Sequence, residues 1–225
     1  MIIIAHRGAS GTEPENTLRA FRRAVQLGCT WIECDVRMTR DGSPVIIHDA
    51  TVNRTTDGQG RVVRMTYQAL RGLDAGKKEK IPSLREVLLF AKKNKVRVVL
   101  EIKDLRALPK TVSFLKTLKL LDQVIISSFS SSVILNAKKI NASLATAFII
   151  ENAKDNWVRR AERARTDMVH VFVPLVTKEK IHAAHTARLK VWAWTANTLK
   201  EALKLRKKGI DGIFTDVPHR LISLT

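Results

Sequence analysis

The sequence predicts one α/β domain folded as a closed (β/α)8 TIM barrel, and three observations lead to this prediction. Short apolar, β-branched segments alternate with segments of helical periodicity, and eight such pairs follow one another. The strand-like segments are mostly apolar on both faces, which is typical of a parallel sheet covered by helices. The chain has 225 residues, a length that suits eight units in one barrel. An open doubly wound sheet is the alternative, but the sequence contains no glycine-rich dinucleotide-binding turn.

The predicted elements follow one another in a regular cycle along the chain. A strand over residues 2–6 precedes a helical pattern over residues 15–28, which Gly28 closes. The second strand is WIECDVRM, and its helix, SLREVLLFAKKN, comes after an irregular stretch. The six later pairs of strand and helix are VRVVLEIK with residues 109–121, QVIISSF with SSVILNAKKI, SLATAFII with DNWVRRAERAR, MVHVFVPL with TKEKIHAAHTA, LKVWAWT with NTLKEALKLRKKG, and IDGIFTD with PHRLISL.

Residues 49–82 are the one segment that interrupts this cycle. The segment is rich in Gly, Thr, Asp and Arg, and it is too irregular for a single helix. Because it follows the second strand, it is expected to lie over the C-terminal face of the barrel, where active sites of this fold are found. We therefore predict that residues 1–225 form one domain and that 49–82 is an insertion acting as a lid or rim.

Composition excludes several classes of protein. The N-terminal apolar run is short and has no basic leader, so it is predicted to be a strand and not a signal peptide. No stretch approaches the roughly 18 apolar residues that a membrane span requires. Cys29 and Cys34 are the only two cysteines, and their placement predicts no disulfide framework. The expectation is a cytoplasmic protein.

The formal net charge of +19 raises the question of an anionic partner. Many of the cations stand in the last turn of a predicted helix, where they complement the negative end of the helix dipole. No zinc-ligand, RNA-binding or basic-heptad motif accompanies the charge. We therefore predict no nucleic-acid partner and at most a weak attraction to an anionic membrane surface. The oligomeric state is left open.

Acidic residues occur where a barrel strand would normally be apolar. Glu33 and Asp35 fall on one face of the second strand, and Glu101 lies at the end of the third. Oxygen ligands of this kind suit Mg²⁺ or Ca²⁺, with Mn²⁺ also possible, better than zinc. The alternative for such a carboxylate pair is a structural salt bridge. Convergence of separate strand ends on one face of the barrel favours a metal site.

Basic residues and histidines end the same strands. Arg7 and Lys103 bracket the expected pocket and suit a phosphate group, although Lys103 could simply reach solvent. His6 and His48 titrate near neutrality and could exchange protons with a phosphoester. Taken alone, His48 could also be a structural or surface histidine. Three other histidines have no acidic partner that the sequence indicates, and they are expected to be structural or exposed: His170, His182 and His185.

Five segments together resemble the glycerophosphodiester phosphodiesterases, a family of metal-dependent TIM barrels. These segments are AHRGAS…PENTLRAF, ECDVRMTRDGSPVIIHDATVNRTTDGQG, LEIK, WTAN and DGIFTDVP. The resemblance runs from the first strand to the last and is most specific in residues 5–60. It implies the following roles: His6 and His48 as general acid and base, Glu33, Asp35 and Glu101 as metal ligands, Arg7 and Lys103 as phosphate contacts, and Trp194 as an aromatic wall of the site.

The resemblance implies hydrolysis of a small-molecule glycerophosphodiester to glycerol 3-phosphate and an alcohol. A second enzymatic possibility is a lysophospholipase D, which would use the same site on a lipid-bearing diester. A different class is a non-catalytic phosphate-binding barrel. The presence of both histidines and all three carboxylates argues against the non-catalytic class. The sequence does not distinguish which histidine acts as acid and which as base.

Overall fold

The computed structural model describes residues 1–154 and 156–225, and it confirms the predicted barrel. Eight parallel strands are ordered around a closed sheet, and the pairing of the first with the second completes the ring. A ninth short strand pairs antiparallel with the outer end of the second. The strands are β1 Ile2–Ala5, β2 Trp31–Met38, β3 Pro44–Ile46, β4 Arg97–Ile102, β5 Val124–Ser128, β6 Ala145–Ile150, β7 Met168–Phe172, β8 Lys190–Trp194 and β9 Gly212–Thr215.

The helices follow the predicted cycle, with their ends set by capping. They are α1 Leu18–Gln26, α2 Tyr67–Gly72, α3 Leu84–Asn94, α4 Leu108–Leu118, α5 Ser131–Ile140, α6 Trp157–Ala164, α7 Lys178–Thr186, α8 Leu199–Lys208 and α9 Pro218–Leu221. Helix α1 begins later than the pattern over 15–28 predicts, because the Thr17 side chain caps it and accepts a hydrogen bond from the Ala20 amide. Asn16, with φ of 59°, lies outside the helix.

Strand β3 is a difference from the predicted count of eight strands. The sequence indicates only a short apolar run before His48, because three residues are too few to show the alternation that identifies a strand. In the structure Ile46 pairs with Val36 of β2, so the run becomes a strand through its partner. This pairing carries the chain from the end of β2 back towards the mouth of the barrel. It thereby delivers His48 to the pocket.

The barrel interior is filled by one apolar layer to which each of the eight parallel strands contributes one residue. These residues are Ile4, Trp31, Val99, Ile125, Ala147, Met168, Trp192 and Phe214. Because side chains alternate along a strand, the next inward-facing position lies two residues further towards the C-terminal end. The apolar layer therefore forms a floor, and the residues above it line the mouth. Larger apolar clusters fill the space between the sheet and the surrounding helices.

The segment 49–82 contains α2 and a short 3-10 turn, Val62–Arg64, and no long helix, as its irregular sequence indicates. Its apolar side chains join those of β3 in a separate small cluster beside the barrel. The function of this segment as a lid or rim stays a prediction. Cys29 and Cys34 are both buried and free, as expected. Among residues 1–154 and 156–225, no helix combines the length and apolarity needed to cross a bilayer.

Candidate active site

A cleft of about 500 Å³ opens at the C-terminal mouth of the barrel, directly above the apolar floor. Seven of the residues two positions after the floor residues line it, as the strand alternation requires: His6, Glu33, Glu101, Ser127, Ile149, His170 and Trp194. The predicted site residues that line this cleft are His6, Arg7, Glu33, His48, Glu101, Lys103 and Trp194. The remaining predicted residue, Asp35, is buried beside them and contacts two of their side chains. The structure thus brings all eight predicted residues together.

The three predicted carboxylates form one buried cluster. One oxygen from each of Glu33, Asp35 and Glu101 lies within 4.8 Å of the others. The register of the sheet explains the arrangement, since Asp35 of β2 pairs directly with Glu101 of β4. Asp35 Oδ1 and Glu101 Oε1 are buried, and the Lys103 ammonium lies within ion-pair distance of both. Three carboxylates that converge in a buried place fit a hard divalent cation.

Burial and mutual repulsion shift the pKa values of this cluster. Burial, followed by the charges of Asp35 and Glu101, raises the pKa of Glu33 well above its ordinary value. Burial and the Asp35 charge raise the pKa of Glu101 to about 7. Burial also acts to raise the pKa of Asp35, but attraction to Lys103 and Arg7 outweighs it and holds that pKa low. Asp35 is therefore the carboxylate of the three whose ionised form the surroundings favour.

Two cations partly balance the carboxylates. Lys103 Nζ lies 3.2 Å from Asp35 Oδ1 and contacts the carboxylate of Glu101. The Arg7 guanidinium lies 3.3 Å from Asp35, and the Arg7 backbone N–H donates to Glu33 at 2.9 Å. Burial would lower the pKa of Lys103, but Asp35 and Glu101 raise it, so the ammonium stays charged.

Gly8 makes the tight turn after β1 possible. Its φ is +81°, and a Cβ at this position would stand 2.6 Å from the Ala20 backbone, so another residue would be excluded by both conformation and space. Arg7 itself has a positive φ of 55°. This turn directs the Arg7 amide towards Glu33 and keeps the Arg7 side chain at the pocket wall.

His6 is held by an aspartate from the last strand of the barrel. His6 Nδ1 lies 2.7 Å from Asp216 Oδ1. The other Asp216 oxygen accepts from Asn197 Nδ2 at 2.6 Å, and Ser10 Oγ donates to Oδ1 at 3.1 Å. Burial opposes ionisation of Asp216, but the hydrogen bonds and charge of His6 and the other donors lower its pKa to about 2. An ionised acceptor at Nδ1 leaves the Nε2 atom of His6 for the pocket.

His48 is held in the same manner on the opposite side of the carboxylate cluster. His48 Nδ1 lies 2.7 Å from Asp49 Oδ1, and Arg37 Nε donates to the His48 backbone carbonyl at 2.7 Å. Arg54 fixes Asp49 in turn, because its guanidinium contacts Asp49 and also Glu15. Burial, assisted by the Lys103 and Arg7 charges, lowers the pKa of His48 despite the nearby aspartates. His48 is therefore neutral at neutral pH, with Nε2 left for the pocket.

Sequence reasoning missed the partners of both histidines. Asp216 stands at the predicted end of the last strand, but no feature of the neighbouring sequence indicates that its side chain contacts His6. Asp49 follows His48 directly in the sequence. This adjacency is the only feature of the sequence that indicates a contact between the two side chains. The expectation that His185 lacks acidic company was wrong, since its Nε2 lies 2.9 Å from Asp211. This pair is separate from the cleft residues.

His170 is expected to be structural or exposed, and the structure places it, buried, among the residues that line the cleft. Its ring stacks on Trp192 at a centroid distance of 5.3 Å. Burial lowers its pKa to about 3, so the ring stays neutral. His182 is exposed on α7, and its side chain makes no hydrogen bond or ion pair within residues 1–154 and 156–225.

The excess positive charge lies partly at helix ends, as the sequence predicts. Basic residues occupy the last turns of α3, α5 and α8, and they include Lys92, Lys93, Lys207 and Lys208. In a (β/α)8 barrel the helices run antiparallel to the strands, so these ends lie on the face opposite the cleft. Their charges complement the helix dipoles and are not part of the pocket wall.

Comparisons with known proteins agree with this geometry. A sequence model of the glycerophosphoryl diester phosphodiesterase family matches residues 6–220. The chain is 35% identical to a glycerophosphodiester phosphodiesterase of Caldanaerobacter subterraneus, over 99% of this chain and 97% of the relative. A solved phosphodiesterase of Oleispira antarctica, in complex with the product sn-glycerol-3-phosphate, superposes with a TM-score of 0.95 at 32% identity. That match covers 99% of this chain and 96% of the other.

Proposed function

Because this chain belongs to the glycerophosphoryl diester phosphodiesterase family, it is an enzyme that hydrolyses glycerophosphodiesters, and we propose that the cleft residues described above perform the reaction. The products are glycerol 3-phosphate and an alcohol. The observation that carries the assignment of residues is the juxtaposition of two carboxylate-anchored histidines with a buried cluster of three carboxylates. A non-catalytic phosphate-binding barrel would have no need of the two anchored histidines.

Glu33, Asp35 and Glu101 are the residues that would hold a divalent cation, namely Mg²⁺, Ca²⁺ or Mn²⁺. Their oxygens converge, and the side chains of Glu33 and Asp35 are buried. Such a cation would supply Lewis-acid polarisation of the phosphoryl oxygens and would lower the pKa of the attacking hydroxyl group. The hydrogen bond from the Arg7 amide to Glu33, and that from Asn16 Nδ2 to Asp35, fix the orientation of the ligands.

His6 and His48 exchange the two protons that the hydrolysis requires. The Nε2 atom of one histidine removes a proton from the attacking hydroxyl group, which belongs either to water or to the glycerol moiety itself. The Nε2 atom of the other donates a proton to the departing alkoxide. If the glycerol hydroxyl attacks, the alcohol leaves and a cyclic phosphodiester forms, which water then opens to glycerol 3-phosphate in a second step with the two histidines in exchanged roles. Asp216 and Asp49 hold the two rings through Nδ1 and stabilise each imidazolium as it forms.

Lys103 and Arg7 stabilise the negative charge that develops on the phosphoryl group. Both side chains line the cleft, and both are held by carboxylates, so they are oriented before the substrate arrives. Their position beside the carboxylate cluster puts positive charge on the side of the cleft where the phosphate is bound. A charge-assisted contact in a partly dehydrated pocket is stronger than the same contact at a surface.

Product analysis tests the substrate. Incubation with glycerophosphocholine is expected to release glycerol 3-phosphate and choline. Lysophosphatidylcholine, the substrate of a lysophospholipase D, is expected to react more slowly, because the cleft residues include few apolar side chains beyond the aromatic ones. The release of lysophosphatidic acid at a rate above that of glycerol 3-phosphate would favour the lysophospholipase D alternative. Absence of product from both diesters would contradict the proposed function.

A fourfold neutralisation tests whether the phosphate is bound in the cleft or at the basic surface. Replacement of Lys92, Lys93, Lys207 and Lys208 by Gln is expected to leave kcat/KM for glycerophosphocholine within about threefold, because exposed charges beyond a Debye length of ~8–10 Å are screened. Lys103→Ala is expected to cost about 2 kcal/mol in transition-state stabilisation, or roughly 30-fold in kcat/KM. Circular dichroism should confirm that both variants fold. The reverse order of effects would mean that the phosphate is bound elsewhere.

The cellular location and the remaining partners stay predictions. We expect the protein in the cytoplasm, without a nucleic-acid partner and with at most a weak, salt-sensitive attraction to anionic membranes. Loss of any vesicle binding at physiological salt is the expected result in a flotation assay.

A further inference from the structure

The mouth of the barrel is divided into two halves of different chemistry. Strands β9, β1, β2 and β4 bear the histidine–aspartate pair and the carboxylate cluster. The other half is formed by the four consecutive strands β5, β6, β7 and β8. Four residues end these strands or directly follow them, at positions that the strand alternation turns inward: Phe129, Glu151, Phe172 and Trp194. We call these four residues the outer arc.

The alternation of side chains along each strand determines which residues belong to the outer arc. Phe129 lies two residues after Ser127, which lines the cleft, and Glu151 lies two residues after Ile149. The three aromatic rings are in contact, since Trp194 is 6.0 Å from Phe129 and 5.1 Å from Phe172 between ring centroids. Phe129 is 37% exposed and Phe172 is 39% exposed, which is unusual for phenylalanine.

Glu151 is the charged member of the arc. It directly follows β6, which lies in the sheet between the strand that precedes Phe129 and the strand that ends with Phe172. Glu151 lines the cleft, and within the described parts of the chain its side chain has no hydrogen bond or ion pair. The other lining carboxylates, Glu33 and Glu101, belong to the buried cluster. Glu151 is therefore available to a ligand.

We propose that the outer arc binds the alcohol half of the substrate and selects an alcohol that carries an ammonium or quaternary ammonium group, such as ethanolamine or choline. This inference rests on the proposed function and specifies its substrate class. Aromatic faces attract cations through their quadrupole, and a carboxylate among them adds a full opposite charge. The phosphate remains beside Lys103 and the carboxylate cluster, and the cationic end of the diester extends across the mouth towards β6.

The chemistry of the arc disfavours other alcohols. An apolar alcohol laid over the arc would remove Glu151 from water without a partner, which is unfavourable for a carboxylate. An anionic alcohol would be repelled by the same group. A neutral polyol would find few hydrogen-bonding partners on three aromatic rings.

Neither the neighbouring lysine nor the overall charge opposes a cationic group. Lys103 Nζ lies 5.6 Å from the Phe129 ring centroid, but Asp35 and Glu101 compensate its charge. A diester of this class carries one negative and one positive charge, so the net charge of +19 on the protein does not repel it.

Substrate competition in the metal-saturated enzyme tests the inference. The ratio of kcat/KM for glycerophosphocholine to kcat/KM for glycerophosphoglycerol, whose alcohol is neutral, is expected to exceed about fivefold in the wild type. Glu151→Lys should lower this ratio by about tenfold, and Phe172→Ala by about threefold. Glu162→Lys, the same charge change at an exposed position of α6, is the matched control and should leave the ratio within about twofold of the wild type.

The outcomes separate this inference from the proposed function. Failure of the wild type to hydrolyse either diester would contradict the proposed function itself. Hydrolysis of both diesters at a ratio near one, unchanged by Glu151→Lys, would overturn the role of the arc and leave the activity intact.

Discussion

Replacement of His6 or His48 by alanine is expected to lower kcat by about 100-fold or more, the usual effect of losing a general acid or base. Both rings line the cleft, and both are held through Nδ1 by an aspartate, at 2.7 Å in each case. The fold should be retained, because both residues follow strand ends and neither belongs to the apolar floor. Steady-state kinetics with glycerophosphocholine measure the effect, and KM should change much less than kcat.

His182→Ala is the matched control for these two variants. His182 is exposed on α7 and is remote in sequence from every strand end that contributes to the cleft. Its replacement should leave kcat within about twofold, since surface changes away from a site have small effects. A histidine variant that keeps near-native turnover would show that the histidine concerned carries no proton in the reaction.

Removal of divalent cations is expected to abolish activity, and their return is expected to stabilise the folded chain. A ligand that binds only the native state at about 100 times its Kd contributes about 2.7 kcal/mol. For a domain of this size such a contribution raises Tm by roughly 5–10 °C. Thermal unfolding of the chelated protein with added Mg²⁺, Ca²⁺ or Mn²⁺ measures this shift independently of turnover, and it ranks the three ions.

Glu33→Gln should abolish the Tm shift produced by the cation. Without a cation the same variant should not be less stable than the wild type, because the substitution relieves repulsion from Asp35 and Glu101, and the amide oxygen can still accept from the Arg7 N–H. Glu162→Gln on the exposed side of α6 is the matched control and should keep the shift. Full activity after exhaustive chelation would contradict the metal site.

Much of the fold follows from local properties of the chain. Each strand is a short β-branched run, and each surrounding helix has its own periodicity and cap, so element types are specified within about ten residues. The ninth strand, β3, was not predicted, because three residues have no periodicity of their own and depend on pairing with β2. The start of α1 was placed too early, since Asn16 adopts a positive φ that the pattern does not indicate.

One part of the candidate site could be predicted from local sequence, and the other part depends on contacts between distant segments. Charged residues such as Glu33, Glu101 and Lys103 break the apolar pattern of their strands, and a buried charge must be paired or bound, so their types and positions were sufficient to predict a site. The contact between His6 and Asp216 joins residues 210 positions apart. It depends on the closure of the barrel, which pairs β1 with β9.

The sequence by itself determined the strand–helix alternation, the residues that end the strands, and the chemistry those residues offer. Only the tertiary structure decided which side chains meet across the mouth of the barrel. It placed an aspartate against each histidine, and it brought Glu151 into one cleft with Phe129 and Trp194. The physical reason is that periodicity and composition act over neighbouring residues, whereas strand order and register set the contacts between segments far apart in the chain.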